Sequence, residues 1–182
     1  MTTSIPEPIT KLDKQYIDIV EEAAEKEENL DIPNRTLDHA VFLTQKLILK
    51  AKNNIKILTG ELGSPYYDRI KDDLQFAVDK FKPSGGKIKV IVWEQDAPIN
   101  EIFSSFIRNN NDVIEVRKAA QNTTINHFLV SDSKRYRFEE IHSKQDLIDQ
   151  KVKGTANFGN PEKASILNEV FDTIWNGLNA AP

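Results

Sequence analysis

Hydrophobic residues recur along this chain in two periods, one typical of helices and one typical of strands. Apolar residues at helical spacing predict five helices, at residues 12–28, 37–52, 65–82, 98–108 and 161–178. Shorter apolar runs bounded by turn residues predict six strands, at residues 55–59, 87–93, 113–117, 125–131, 134–139 and 151–157. The order from residue 55 onward is therefore β-α-β-α-β-β-β-β-α. Thr36 and Asn160-Pro161 have the residue types that begin helices.

This order predicts an α/β fold. Strands that alternate with helices pair in parallel and are covered by those helices, whereas the hairpin at residues 125–139 adds antiparallel strands. We therefore expect a mixed, largely parallel sheet flanked by helices. Residues 1–34 are predicted to be an N-terminal tail and an acidic helix, and residues 35–182 the main domain. Asp31 to Arg35 is predicted to be a linker.

Composition excludes several classes of protein. The chain has 182 residues, a formal net charge of −4 and no cysteine, so disulfides and thiolate zinc sites are excluded and bulk affinity for nucleic acid is not indicated. No apolar run approaches the about 20 residues that span a bilayer, and the N-terminus lacks the features of a signal peptide. We expect a cytoplasmic protein without a membrane span. The three histidines, His39, His127 and His142, have no metal-binding spacing, so no metal site and no cofactor is expected.

The most informative segment runs from Ile125 to Asp132, a hydrophobic strand that ends in an aspartate. After a gap comes Gly154-Thr155-Ala156-Asn157. Together these segments resemble the second half of a phospholipase D-type domain, whose motif is His-x-Lys-x-x-x-x-Asp followed by Gly-Ser/Thr-x-Asn. The resemblance covers roughly Leu37 to Leu178 and implies a phospholipase D-like fold. Two such units form one active site in that family, so a single unit implies a homodimer.

The motif matches only in part, in either of two registers. If Asp132 is the motif aspartate, the nucleophile position holds Ile125 and the lysine position holds His127, and strand alternation predicts that these two residues share one face. If His127 is the nucleophile, Leu129 and Lys134 take the lysine and aspartate positions. In the family a histidine attacks phosphorus, which isoleucine cannot do. The resemblance therefore favours a catalytically degenerate domain that acts as a binding or assembly module.

The candidate ligand-binding residues lie on the predicted hairpin and the last strand. They are His127, Asp132, Arg137, Glu139, Thr155 and Asn157. One interpretation is a pocket for a phosphate-containing ligand or nucleic acid, and another is an Arg137–Glu139 ion pair at a sheet edge or dimer interface. The enzymatic alternative is a diverged phosphodiesterase or nuclease that uses His127 at a dimer interface, with His142 or Glu139 from the partner subunit.

Two surfaces suggest partners. The hairpin carries Phe128, Val130, Tyr136 and Phe138, which one sheet layer leaves uncovered, so we expect a homodimer with Ile125, His127 and Asn157 near the twofold axis. A strip of lysines between Lys46 and Lys56 is interpreted as solvated surface, with a nucleic-acid face as the alternative. The acidic residues of the first helix are likewise a solvated face or a partner-binding helix.

Overall fold

The structure is a computed structural model and describes residues 12–62, 65–94, 99, 101–121, 123–143, 146, 149 and 151–178. The helices of the described residues are α1 (Lys14–Lys26), α2 (Leu37–Lys50), α3 (Pro65–Phe81), α4 (Glu101–Asn109) and α5 (Pro161–Gly177), with a 3-10 turn at Lys82–Ser84. The strands are β1 (Ile32–Asn34), β2 (Asn54–Thr59), β3 (Lys87–Glu94), β4 (Ile114–Gln121), β5 (His127–Ser131), β6 (Arg135–Glu139) and β7 (Gly154–Asn157). The prediction of the N-terminal tail before residue 12 lies outside the described residues.

These strands form one sheet in the order β1-β7-β6-β5-β2-β3-β4. β2, β3 and β4 are parallel, and the other neighbours are antiparallel. The predicted mixed sheet is confirmed, but antiparallel pairs outnumber parallel ones. One reason is β1, which the sequence placed in a linker and which pairs with β7 through Ile32 and Ala156. Three residues that include Pro33 are too few for a periodic signal, and proline is tolerated because β1 is an edge strand.

Helices cover both faces of the sheet. Helices α1 to α4 pack on one face, where Leu43, Leu47 and Phe81 are fully buried against the strands. On the other face α5 packs Phe171 and Trp175 against the sheet. The hairpin residues Phe128, Val130, Tyr136 and Phe138 belong to this second core.

The expectation that the hairpin leaves an uncovered apolar surface is therefore wrong. Phe128, Val130 and Tyr136 are at most 4% exposed, because α5 of the same chain covers them. The apolar side chains of the hairpin give no reason for a second copy.

Side-chain caps explain where two helices begin. The Oγ1 atom of Thr36 accepts a hydrogen bond from the backbone amide of His39 at 3.1 Å. Asn160 accepts one from the amide of Lys163 at 3.0 Å, and Pro161 occupies the first helical position. Both helix starts were predicted, because these residue types satisfy amide groups that have no partner in the first turn.

Helix α1 pairs with α2 through charges of opposite sign. Lys46 contacts Glu21 and Lys50 contacts Glu25, each at 2.8 Å. Val20 of α1 also lies in the main core, and β1 extends the sheet, so residues 14–34 pack against the rest of the chain. The division at residue 34 stays a prediction. Within the described residues, no helix combines the length and the apolar character needed to cross a membrane.

Candidate functional site

Four strands bring polar residues to one edge of the sheet. β2 and β3 end there, and antiparallel pairing places the start of β5 and the end of β6 at the same edge. His127 opens β5 opposite Glu139, the last residue of β6. Glu94 ends β3, and Gly60 follows β2. Ligand sites of open α/β sheets lie at the carboxyl ends of parallel strands, so this edge is the candidate site.

A buried ion pair forms the floor of the site. The Arg137 guanidinium donates to Oε1 of Glu139, and their side chains are only 7% and 6% exposed. Asn34 donates to the same oxygen at 2.7 Å. Arg137 also donates to the Tyr66 hydroxyl at 3.2 Å, and that hydroxyl is 2.6 Å from Oγ1 of Thr44. The network thus joins β6 to β1, α2 and α3.

This ion pair is the alternative that the sequence left open for Arg137 and Glu139. It lies on an interior strand and not on an edge strand of the sheet, because β7 and β1 continue beyond β6. Burial raises the pKa of Glu139, but the Arg137 guanidinium, His142 and Asn34 together lower it by more and bring the pKa to about 2. Glu139 is therefore an anion at neutral pH, and its charge balances that of Arg137. An incoming anion would have to compete with Glu139 for the guanidinium.

Two imidazoles lie beside this carboxylate. The ring centroids of His127 and His142 are 5.1 Å apart with an angle of 69° between the planes. Nε2 of His142 is 3.6 Å from Oε2 of Glu139, which raises the pKa of His142. Burial lowers the pKa of His127 to about 4, so this imidazole is neutral at pH 7. The enzymatic alternative took His142 or Glu139 from a partner subunit, whereas here one chain supplies all three groups.

Gly60 lies close to both Glu94 and His127. A Cβ atom on Gly60 would lie 2.5 Å from Oε1 of Glu94 and 3.3 Å from Nε2 of His127. Glu94 therefore borders the site, although it is not among the site residues that the sequence predicts. Its position directly after a buried apolar strand is a signal that could have identified it. Asn34 and Tyr66 carry no comparable signal, because both come from segments distant in sequence.

Ile125 does not share a face with His127. Its partly buried side chain packs against the second core, on the face of the sheet that α5 covers. The predicted alternation fails here because β5 begins at His127, so Ile125 lies in the preceding loop and is not held by the pleat of the strand. The expectation that both residues face the same space was wrong.

Asp132 lies at the opposite edge of the sheet. It follows the last residue of β5, and its carboxylate accepts hydrogen bonds from the backbone amides of Lys52, Asn53 and Asn54 at 2.7–3.2 Å. Arg135 donates to it at 3.0 Å. The structure does not bring Asp132 together with His127. These contacts fasten the hairpin to the start of β2.

Thr155 and Asn157 are also separate from His127, because they lie on the other face of the sheet. Asn157 is buried, and its amide group donates to Asn29 and Asp31 at 2.9 and 3.0 Å. Thr155 is paired with Phe138 in the register of β6 and β7. Of the six candidate residues, the structure groups His127, Arg137 and Glu139, and it places the other three elsewhere.

Thr155 lines a second feature, which we name the basic cleft. This cavity of about 480 Å³ lies along β1, β6 and β7. Its basic lining residues are Arg35, Lys151, Lys153 and Lys163, against the single acidic residue Glu140. Lys163 also lies over the rings of Tyr136 and Phe138, at 5.0 and 5.7 Å from their centroids. The excess of cations gives the cavity a positive potential.

Several solved structures share this fold. TrmBL2, an archaeal chromatin protein that shows a novel mode of DNA binding, is 15% identical, with a TM-score of 0.61 over 92% of this chain and 62% of that chain. Nuc from Salmonella typhimurium, a phospholipase D family member, is 16% identical, with a TM-score of 0.57 over 77% of this chain and 89% of that chain. NucT from Helicobacter pylori is 13% identical, with a TM-score of 0.52 over 80% and 92%.

The predicted phospholipase D-like fold is thereby confirmed. At these identities the likeness concerns the fold alone. This chain spans less than two thirds of the length of TrmBL2. No family model matches the sequence, and no curated protein matches it either.

Proposed function

We propose that this chain is a phospholipase D-fold module that binds a phosphate-containing ligand without hydrolysing it. The observation that carries the proposal is the basic cleft, which is lined by four cationic side chains and one acidic side chain; one of the four cations, Lys151, is paired with Asp149 at 2.9 Å. Lys and Arg provide the contacts by which proteins hold phosphate groups. The absence of hydrolysis rests on Ile125, which occupies the nucleophile position in the register that Asp132 defines.

Nucleic acid is the ligand that we propose for this cleft. A net charge of −4 argues against bulk affinity for polyanions, so binding would depend on the local group of cations. The DNA binding of TrmBL2, a protein with the same fold, is consistent with this choice. The lysine strip on α2 is a weaker candidate, because Lys46 and Lys50 already pair with carboxylates of α1.

A binding series tests the proposal. Fluorescence anisotropy with single-stranded and double-stranded DNA and with RNA, over a range of NaCl concentrations, should show affinity that falls with salt. The variant Lys153→Gln/Lys163→Gln removes two cations from the cleft and should lower the salt slope by about two. The matched control Lys46→Gln/Lys50→Gln removes the same charge from the strip and should bind like the wild type. Lack of salt-dependent binding, or equal losses in both variants, would contradict the proposal.

A homodimer is part of the proposal, because single units of this fold resemble halves of a two-unit site. The covered hairpin and the buried Asn157 do not support a twofold axis beside Ile125 and Asn157. His127, at the start of β5 and only partly buried, is the residue of that set that we still place near the axis. Sedimentation velocity at high micromolar concentration tests this point. A single monomeric species would refute the dimer and leave the binding proposal standing.

One observation favours a second function, a diverged phosphodiesterase. His127 is neutral, and its cross-strand partner Glu139 and the imidazole of His142 are beside it, as in sites with a nucleophile and an orienting partner. Hydrolysis of bis(p-nitrophenyl) phosphate, or a trapped phosphohistidine, lost in His127→Ala but kept in His39→Ala, would establish this activity. Such a result would overturn the non-hydrolytic proposal.

A further inference from the structure

His127, Glu139 and His142 have the geometry of a metal-binding group. One ligand atom of each residue lies within 4.8 Å of the ligand atoms of the other two. His127 and Glu139 are held opposite each other in the ladder of β5 and β6, and His142 follows three residues after Glu139. Two of the three ligands therefore stand on neighbouring strands, which hold their spacing without any regular motif in the sequence.

Other contacts orient the ligand atoms. Nδ1 of His142 is 3.2 Å from the backbone carbonyl oxygen of Ser143, to which it donates, so Nε2 is the nitrogen that carries a lone pair in the neutral ring. Asn34 and Arg137 both engage Oε1 of Glu139, which leaves Oε2 toward His142. Partners of this kind fix the orientation of metal ligands in proteins.

The Nε2 atom of His142 is a second, independent indication. Its side chain is 8% exposed, and within the described residues this nitrogen has no hydrogen-bond partner. A buried nitrogen without a partner costs free energy unless something binds it. The contact of 3.6 Å to Glu139 is longer than a hydrogen bond, so the pair has room to share an ion.

The charges around the group favour a cation. Arg137 contributes one positive charge, and Glu139 and Glu94 contribute one negative charge each, which leaves one net negative charge while both imidazoles are neutral. Glu94 lies near His127, since a Cβ atom on Gly60 would be 2.5 Å from Oε1 of Glu94 and 3.3 Å from Nε2 of His127. Arg137 is held by Oε1 of Glu139 and by Tyr66, so it does not occupy the oxygen that faces His142.

We propose that His127, His142 and Glu139 bind Zn²⁺ or a similar divalent transition-metal ion. Two imidazole nitrogens and one carboxylate oxygen suit this class of ion, and three protein ligands leave a fourth position open. Zn–N distances of about 2.0–2.1 Å require small rotations of the side chains to bring the ligand atoms together. The proposal is independent of the basic cleft.

Metal titration of the chelator-stripped protein tests the proposal. Isothermal titration with Zn²⁺ should give one ion per chain, and Co²⁺ should give visible absorption bands at the same stoichiometry. His142→Ala and the more conservative His142→Gln should each weaken Zn²⁺ binding by about 10-fold or more. The matched control is His39→Ala, because His39 is the third histidine and stacks on Tyr16 outside the group.

Thermal unfolding separates loss of the site from loss of the fold. Zn²⁺ should raise the Tm of the wild type and of His39→Ala, and at the same Zn²⁺ concentration it should raise the Tm of both His142 variants less. Circular dichroism without metal shows which variants are folded. Because two different His142 substitutions are made, the test can still be read if one of the variants does not fold. Absence of Zn²⁺ binding in the wild type, full binding in a folded His142 variant, or an equal loss in His39→Ala would overturn the proposal.

Discussion

The buried ion pair between Arg137 and Glu139 makes the strongest prediction about stability. Glu139→Gln keeps the shape of the side chain but leaves the guanidinium buried without a counter-ion. Loss of one partner costs about 3–5 kcal/mol for a buried pair but only about 0–1 kcal/mol for an exposed one. Exposures of 7% and 6% place this pair in the first class. The remaining contact of Arg137 with Tyr66, at 3.2 Å, favours the lower end of the range.

We therefore expect Glu139→Gln to lower the free energy of unfolding by about 3 kcal/mol, or the Tm by roughly 6–12 °C for a chain of this size. Urea unfolding followed by circular dichroism measures this loss. The matched control is Glu25→Gln, which breaks the exposed contact with Lys50 and should cost less than about 1 kcal/mol.

A double-mutant cycle with Arg137→Met then isolates the pair. The double variant removes both charges, so its loss should be smaller than the sum of the single losses by about 2 kcal/mol. Additivity within about 0.5 kcal/mol would refute the coupling and with it our account of the floor of the site.

Three further predictions concern single residues. The pKa of His127 is about 4 in the folded chain and 6.5 in the unfolded chain, so the imidazole of the unfolded chain is protonated first as the pH falls. The free energy of unfolding should therefore fall by about 3 kcal/mol between pH 6.5 and pH 4, and urea unfolding of His127→Gln should show a smaller fall. Asp132→Asn should cost about 1–3 kcal/mol in urea unfolding and leave Zn²⁺ and DNA affinity unchanged, whereas a specific loss of either affinity would contradict a structural role. Gly60→Ala should cost less than about 1 kcal/mol in the same assay, because the atom that its Cβ would approach to 2.5 Å is the terminal oxygen of the flexible Glu94 side chain, which can move aside; a loss above about 2 kcal/mol would show that Glu94 is fixed in place.

The sequence predicts the elements whose signals are local. Thr36 and Asn160-Pro161 predict the starts of their helices, because each cap depends only on a hydrogen bond from the backbone amide three residues further along the chain. The long periodic helices and the hairpin were identified for the same reason, and with the motif they predicted the fold. The sequence does not predict the strand β1, because this strand forms only by pairing with β7, which is more than a hundred residues away in the chain.

The candidate site depends on contacts that no spacing reveals. His127 and Glu139 are neighbours because a hairpin pairs them, and Asn34 reaches Glu139 across 105 positions of sequence. Face assignment failed at Ile125 because the alternation was extended two residues beyond the true start of β5. Long-range pairing and the exact ends of strands decide which groups meet, and neither is a property of a short segment.

The contacts of the motif residues bear on our proposal that this chain lacks the nucleophile of the phospholipase D motif. Asp132 accepts three backbone amides at the edge of the sheet away from His127, so the fold itself needs that carboxylate. Asn157 likewise ties β7 to Asn29 and Asp31 from a buried position. Ile125 is partly buried and packs against the apolar core that α5 shares with the sheet. Asp132 and Asn157, which match the motif, are thus held by structural contacts, and Ile125, one of the two residues that differ from it, packs against an apolar core.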